Sequence, residues 1–198
     1  MRRGLISVAV FVAFVAIFTL SRHAIDSGTT TTTTTGPPAT TTPTSVTTTT
    51  VTATTCTGND FSGVYNEGEG AAGTIYASVT LTKTTPGNCT VDGWPIITLV
   101  DRLGAVLKVT PIDVPSAANG FQFATAQENA KPTAHVLSAN STTTFSLAYS
   151  DVQTGTTACE SAVSLSVQFT TNGNAVTVTP QYAVQPCNNG QLWLSPFY

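Results

Sequence analysis

The stretch TIYASVTLTK, residues 74–83, decides the fold class. Apolar side chains occupy every second position from Ile75 to Leu81, and Tyr, Ser or Thr fills the positions between them. A period of two is that of a half-buried β-strand, whereas an amphipathic helix repeats every 3.6 residues. The stretch therefore predicts a strand that turns one face toward a core.

The same alternation recurs along the chain up to residue 198. AVSLSVQF at 162–169 and FSLAY at 145–149 repeat it, and no segment of ten or more residues has helical spacing. The turn residues Asp101–Gly104 and Asn172–Gly173 separate apolar runs in the way that hairpin loops do. We predict an all-β fold, an antiparallel β-sandwich of immunoglobulin-like appearance, with a β-barrel as the alternative. Further strands are predicted at 96–100, 105–109, 120–124, 134–137, 176–180 and 191–194.

The cysteines stand at positions 56, 89, 159 and 187. An even number in an exported chain predicts two disulfides that pin the sandwich. Three pairings are possible, and we expect the sequential one, in which Cys56 joins Cys89 and Cys159 joins Cys187. Each bridge then closes a loop of about 30 residues, which in a chain-entropy model stabilises the fold by roughly 3–4 kcal/mol. Metal ligation is disfavoured because the chain has no C-x-x-C pair.

Residues 1–28 carry the export signal. Arg2 and Arg3 precede 17 uncharged residues at 4–20, and Arg22 follows them. At ~1.5 Å per residue this run spans about 26 Å as a helix, close to the ~30 Å of a bilayer core. The following residues offer no small-x-small cleavage site, so we predict an uncleaved transmembrane anchor; cleavage would give a secreted protein. The arginines place the N-terminus in the cytoplasm and the rest of the chain outside.

Residues 29–55 read as a stalk rather than as part of a globular domain. They consist of Thr with a few Pro and almost no side chain that a core could bury. Such a composition predicts disorder, and in an exported chain it suits O-glycosylation, with an unmodified flexible linker as the alternative. An extended chain at ~3.1 Å per residue would hold the domain at 56–198 up to roughly 80 Å from the membrane.

Composition argues against several functions. Charged residues make up 9% of the chain and the net charge is −3, so we predict no nucleic-acid partner. His135 is the only histidine in the domain and no Gly-x-Ser-x-Gly elbow occurs, which disfavours nucleophilic catalysis. Asp60, Glu67 and Glu69 have the chemistry of a Ca²⁺ site, but we favour a solvated glycine-rich loop. We predict no metal ion, no cofactor and a monomer.

The stretch GNCTVDGWP, residues 87–95, predicts a corner of the sandwich. Gly93 allows the bend, Pro95 fixes φ, and Cys89 ties the segment down, so we expect Trp94 to point inward and to be buried. Trp193 lies opposite to its leucine neighbours in QLWLSP, and we expect it to be more exposed. Trp193 and Phe197 are the candidate ligand-binding side chains.

The chain resembles a known family in several places. GAAGTIYASVTLTKTTPGNCTVDGWPIITLVDRLGAVL and the closing CNNGQLWLSPF resemble the secreted actinobacterial domain of unknown function 4232. The most specific pieces are Gly-Ala-Ala-Gly at 70–73 and the run at 89–95. The resemblance implies an envelope protein of a high-GC Gram-positive bacterium, of mycobacterial type. It transfers no catalytic residues, because the family has no assigned chemistry.

Three functions follow from these patterns. The first is a non-catalytic cell-envelope surface module, displayed on the stalk to contact an envelope polymer, a protein or a small ligand. The second is a carbohydrate-binding module in which exposed aromatic rings stack on sugars. The third, which we disfavour, is an unrecognised hydrolase.

Overall fold

The computed structural model describes residues 54–115 and 120–198, which form β-strands and a single 3-10 turn at Gly58–Asp60. The predicted all-β class is confirmed. The strands are β1 Thr54–Thr55, β2 Phe61–Asn66, β3 Gly70–Ala71, β4 Thr74–Lys83, β5 Cys89–Val91, β6 Ile96–Val100, β7 Thr110–Asp113, β8 His135–Leu137, β9 Thr142–Ser150, β10 Ser164–Gln168, β11 Val176–Val178 and β12 Gln191–Leu194.

The strands form three sheets. The large sheet has the order β2-β4-β9-β12-β7, with β3 beside β4; the second sheet has the order β11-β10-β6, and the small sheet β1-β5-β8. The stretch that predicted the fold is β4, whose ten residues pair with β2 on one side and β9 on the other. β4 therefore lies inside the large sheet, and its alternation sends one face to the core.

One buried cluster contains side chains of both larger sheets. Val79 and Leu81 of β4, together with Leu165 and Val167 of β10, are fully buried in it. Phe61, Phe145, Phe169 and Phe197 form a row of contacting rings, with centroids 4.8 Å apart for Phe61–Phe169, 5.1 Å for Phe169–Phe197 and 5.7 Å for Phe145–Phe197. Burying the inner faces of two sheets against one another is the sandwich arrangement that the sequence predicts.

The pairing is mixed rather than purely antiparallel, which corrects the sequence prediction. β7 runs parallel to β12, and β1 runs parallel to β5. The predicted hairpin does join β10 to β11 in antiparallel register. A short turn forces antiparallel pairing, whereas β7 and β12 are separated by most of the domain and are free to pair in either sense.

Two predicted strands are absent from the described residues. At 105–109 only Val106 forms an isolated bridge, to Val100, and the next strand is β7, which contains Pro111 at the sheet edge. The segment 120–124 carries no strand pairing. Its apolar side chains Phe121 and Phe123 alternate as in a strand, but they pack on the outer face of the large sheet without entering a ladder.

Both disulfides follow the sequential pairing, as predicted: Cys56 bonds to Cys89, and Cys159 bonds to Cys187. The first bridge ties the end of β1 to its neighbour β5 within the small sheet. The second joins two connecting segments. An immunoglobulin domain instead places its bridge between the two sheets, so the likeness to that fold does not extend to the cysteines.

The described part of the domain begins two residues before the predicted boundary. Thr54 and Thr55 pair with Cys89 and Thr90 of β5, because the Cys56–Cys89 bridge holds the preceding residues against that strand. The predicted anchor at 1–28, with its membrane segment at 4–20, and the rest of the predicted stalk lie outside the described residues. Within 54–115 and 120–198, no helix has the length and apolar character to cross a bilayer.

Candidate functional site

The outer face of the large sheet carries an aromatic row. Tyr76 of β4 pairs with Ala148 of β9, and Ala148 pairs with Trp193 of β12, so the three side chains lie abreast on one face. Two strand spacings of ~4.8 Å separate the outer two strands by about 9.6 Å. Because alanine is small, a gap remains between the rings of Tyr76 and Trp193.

Phe121 fills this gap. Its ring centroid lies 4.5 Å from that of Trp193 with the planes 12° apart, and 6.1 Å from that of Tyr76 with the planes 20° apart. These separations match one ring inserted between two others, in the near-parallel stacking that aromatic pairs adopt. Phe123 contacts the edge of Phe121 at 5.1 Å. The row therefore runs from Trp193 through Phe121 to Tyr76.

The loop that supplies Phe121 is held to the sheet by its own polar side chains. The Asn129 side chain accepts the Phe123 N–H at 2.8 Å and donates to the Phe123 carbonyl at 2.9 Å. Glu128 accepts the Thr125 N–H at 2.8 Å, and its other oxygen accepts the Ser146 hydroxyl of β9 at 2.5 Å. Phe123 is buried as a consequence, and the loop forms one wall of a cleft.

An open cleft of about 370 Å³ continues the aromatic row beyond Tyr76. β2 and β3 both pair with β4 on the side away from β9, and the residues 67–69 that connect them supply much of the cleft wall. One face of the Tyr76 ring stacks on Phe121, and Tyr76 itself lines the cleft. The cleft is lined by Asn66, Glu67, Gly68, Glu69, Ala71, Tyr76, Ala77, Ser78, Phe123, Ala124, Glu128 and Ser146.

Gly68 fixes the rim of the cleft by close approach. A Cβ atom at this position would lie 1.1 Å from the carbonyl oxygen of Tyr76, so only glycine fits there. The neighbouring Glu69 carbonyl accepts the Tyr76 N–H at 3.2 Å. The backbone of 68–69 is therefore pressed against β4, with the Glu69 side chain exposed at the cleft edge.

Polar groups on the floor of the cleft come from the outward positions of β2, β4 and β9. The Asn66 amide nitrogen donates to the Ser78 hydroxyl at 3.3 Å and to the Thr80 hydroxyl at 3.0 Å. The Ser146 hydroxyl lies 2.9 Å from the Tyr198 hydroxyl, and burial raises the pKa of Tyr198. The cleft thus combines one aromatic wall with hydroxyl, amide and carboxylate groups.

Two of the three cleft carboxylates have structural partners. Glu67 accepts the N–H groups of Gln181 and Tyr182 at 2.8 and 3.1 Å, which secures that loop. Glu128 is held by Thr125 and Ser146, as described above. Of the three carboxylates, that of Glu69 makes no hydrogen bond to another described residue. The cleft carboxylates therefore serve mainly to hold loops in place.

The three carboxylates considered for Ca²⁺ do not come together. Asp60 precedes β2 and is engaged by Thr57 and Thr85, whereas Glu67 follows the same strand. Six strand residues at ~3.3 Å each separate them by about 20 Å. In the part of the chain that the structure describes, no group of three His, Cys, Asp or Glu side chains has a geometry to hold a metal ion.

Trp94 is only half-buried, which corrects the expectation of full burial. Gly93 bends the chain with φ = +82°, as the sequence suggests. The Trp94 indole Nε1–H then donates to the carbonyl of the buried Val114 at 3.0 Å. Trp193 is half-buried as well, with its Nε1 buried and without a hydrogen-bond partner among the described residues. The two indoles are both half-buried, and they differ in their hydrogen bonding.

Phe197 lies inside the core, which removes it from the candidate ligand-binding residues. Its side chain is 2% exposed and its ring contacts Phe145 and Phe169. Of the two candidates, only Trp193 lies on the outer face of a sheet, and its ring is stacked against Phe121. Of Tyr76, Trp193 and Phe197, only Tyr76 lines the cleft.

His135 is engaged with the backbone. Its Nε2 lies 3.2 Å from the carbonyl oxygen of Phe197, which requires a proton on that nitrogen. The histidine thus helps to join β8 to the segment after β12.

The sequence contained a signal for the cleft that the choice of candidates missed. Its alternation already placed Tyr76 and Ser78 on the outward face of β4. What it lacked was the identity of the neighbouring strands, since Asn66 and Ser146 reach the same face only through the register of β2 and β9.

These observations define a disulfide-bonded all-β domain with an open, partly aromatic cleft on the outer face of its large sheet. The sequence model of one protein family, described as Domain of unknown function (DUF4232), matches residues 56–198. The chain belongs to this family, as its resemblance suggested. No curated protein and no solved structure in the comparisons gave a match.

Proposed function

We propose that this protein is a non-catalytic binding module of the bacterial cell envelope, of actinobacterial origin, whose domain recognises an envelope component. Residues 4–20 anchor the chain in the cytoplasmic membrane, and the Thr-rich stalk holds the domain on the outer side. The observation that carries the proposal is the open cleft of about 370 Å³, in which an aromatic wall adjoins several polar groups. Ligand sites in proteins usually combine an apolar wall with a small number of polar groups that orient the ligand.

The disulfides and His135 support the remaining parts of the proposal. Two disulfides among four cysteines are typical of proteins that fold in an oxidising compartment, outside the cytoplasm. His135 has one ring nitrogen committed to the Phe197 carbonyl, which suits a structural role better than that of a general base.

Binding to the envelope is tested with the full-length chain in detergent. Cell-wall fragments of the source organism, stripped of membrane, are mixed with the tagged chain and sedimented. We expect saturable co-sedimentation that excess untagged chain displaces. The reduced and alkylated chain is the control, because it lacks the folded cleft. Sedimentation equal for the folded and the reduced chain, or none for either, would contradict the proposal.

A further inference from the structure

We propose that the cleft beside Tyr76 binds a hexopyranose unit of an envelope polysaccharide, with the sugar ring stacked on the face of Tyr76 that turns away from Phe121. This inference rests on the proposed function and names its ligand class. Phe121 shows how the row receives a ring: it lies between Tyr76 and Trp193 in near-parallel stacking. A pyranose has an apolar C–H face of similar size, which suits an aromatic ring face.

The groups around that ring face match the edge of a sugar. Asn66 directs its amide nitrogen to Ser78 and Thr80, so its amide oxygen is oriented away from those hydroxyls and suited to accept from a ligand hydroxyl. Glu69, exposed at the rim, supplies a carboxylate acceptor on the same side. Ring stacking with lateral hydrogen bonds to hydroxyls selects a polyhydroxylated ring over a purely aromatic one.

The same cleft favours a neutral sugar over a cationic ligand. Three carboxylates line it, and a cation on Tyr76 is the obvious rival. Glu67 and Glu128, however, already accept hydrogen bonds from loop backbone and hydroxyl groups, and their positions follow from that loop anchoring. Because Glu67 and Glu128 are fixed to their loops, the aromatic face, the Asn66 amide and Glu69 at the rim form the part of the cleft that meets the sugar.

The test is calorimetric titration of the full-length chain with maltohexaose, cellohexaose and α-1,6-mannohexaose, in a detergent that has no sugar headgroup. We expect saturable binding of at least one oligosaccharide. Tyr76→Ala should weaken that binding about tenfold or more through the lost stacking area. Glu69→Gln should weaken it by roughly threefold to tenfold, because an amide oxygen accepts a weaker hydrogen bond from a sugar hydroxyl than a charged carboxylate does.

Tyr182→Ala is the matched control, because Tyr182 is exposed and does not line the cleft. Its affinity should equal that of the wild-type chain. If Tyr76→Ala fails to fold, Glu69→Gln decides, since that side chain lies at the surface. The inference would be overturned if none of the three oligosaccharides binds. It would also be overturned if the folded Tyr76→Ala variant, or the Glu69→Gln variant, binds the oligosaccharide as tightly as the wild-type chain does. Binding of spermine that Glu69→Gln abolishes, while no oligosaccharide binds, would overturn it as well.

Failure of this inference is distinguishable from failure of the proposed function. Periodate destroys the vicinal diols of wall polysaccharides, and protease removes wall proteins. Co-sedimentation that survives periodate and is lost after protease keeps the proposed function and overturns the sugar site. Co-sedimentation lost after periodate alone supports both.

Discussion

At the scale of single residues, the two tryptophans show how similar burial hides different roles. Both indoles are half-buried, but Trp94 donates to the Val114 carbonyl at 3.0 Å, whereas the Trp193 Nε1 is buried without a partner among the described residues. A buried carbonyl that loses its donor destabilises the fold by its uncompensated desolvation free energy. Removing an N–H that has no partner takes such an unfavourable contribution away. The hydrogen bond, rather than the ring area, therefore distinguishes the two positions.

Replacing each indole by phenyl tests this distinction. Trp94→Phe removes the donor from Val114, and we expect the free energy of unfolding to fall by about 1–3 kcal/mol. Trp193→Phe removes no hydrogen bond within the described residues, so we expect a smaller loss. Urea unfolding with the disulfides intact measures both values. Equal losses for the two variants would show that the Val114 hydrogen bond contributes nothing.

Asp60 is the described carboxylate with the clearest pKa depression. The Thr57 N–H at 2.9 Å holds the pKa of Asp60 below its usual value, followed by the Thr85 hydroxyl at 2.7 Å, with smaller support from the Thr57 hydroxyl and the Lys83 charge. A depressed pKa in the folded state means that the ionised form stabilises the fold. This stabilisation is complete above the unfolded pKa of about 3.9 and disappears as the pH falls through the lower folded value.

Asp60→Asn should therefore lower the melting temperature at pH 7, and this decrease should become smaller in acid. We expect the difference in melting temperature between wild type and variant to be constant from about pH 5 upward and to narrow below about pH 4. Thermal unfolding followed by circular dichroism between pH 3 and 7 measures this difference. A gap that stays the same down to pH 3 would mean that the Asp60 charge is not involved.

At the scale of elements, alternation predicted the strands whose two faces have different environments. β6 and β12 have the predicted bounds, and β4 continues the pattern so strictly that Lys83 occupies a core-facing position. Its side chain is 1% exposed, and its ammonium donates to the Thr85 carbonyl at 2.8 Å and to the Thr85 hydroxyl at 2.6 Å. A turn two residues further on thus satisfies a charge that composition alone would place at the surface.

Alternation was misleading where side chains face a sheet without backbone pairing. Phe121 and Phe123 follow the period of a strand, and it is ring packing on the large sheet that orders them. The sequence did not predict β7 because this strand contains Pro111, and proline is rare in strands. An edge strand such as β7 tolerates it. The cleft was out of reach for the same reason: periodicity gives faces but not the order of strands.

The two disulfides should differ in their resistance to reduction. Cys56 and Cys89 are 1% and 3% exposed, whereas Cys159 is half-buried within an otherwise exposed segment. Thiol–disulfide exchange needs access of the attacking thiolate to a sulfur. We expect limiting dithiothreitol on the native protein to free Cys159 and Cys187 first. Alkylation and peptide mapping identify the sulfurs, and prior release of Cys56 and Cys89 would contradict the expectation.

At the scale of the whole molecule, residues 195–198 join parts that the sheets leave separate. Tyr198 exchanges backbone hydrogen bonds with Thr144 of β9 at 2.8 and 2.9 Å. The Phe197 N–H donates to the Gly93 carbonyl at 3.1 Å, and its carbonyl lies 3.2 Å from His135 Nε2 of β8. The segment thus connects the large sheet to the β5–β6 corner and to the small sheet, while the Phe197 ring enters the core.

Phe197→Ala should consequently destabilise the entire domain. A fully buried aromatic ring costs about 3–5 kcal/mol when cut to Ala, out of the ~5–15 kcal/mol that holds a domain together. Phe121→Ala, which removes a half-buried ring from the outer face, is the matched control and should cost less. Urea unfolding of both variants measures the two losses. A loss from Phe197→Ala no larger than that from Phe121→Ala would show that residues 195–198 do not hold the sheets together.

The burial of Phe197 also bears on the order of events during synthesis. Phe197 follows every strand that the structure describes, so the ribosome adds it only after β12 is complete. Until then Phe145 and Phe169 lack the ring that lies between them in the finished core. A nascent chain in this condition has an open sandwich, and domains of such long-range pairing close slowly. Closure of the sandwich therefore comes after translation of the domain.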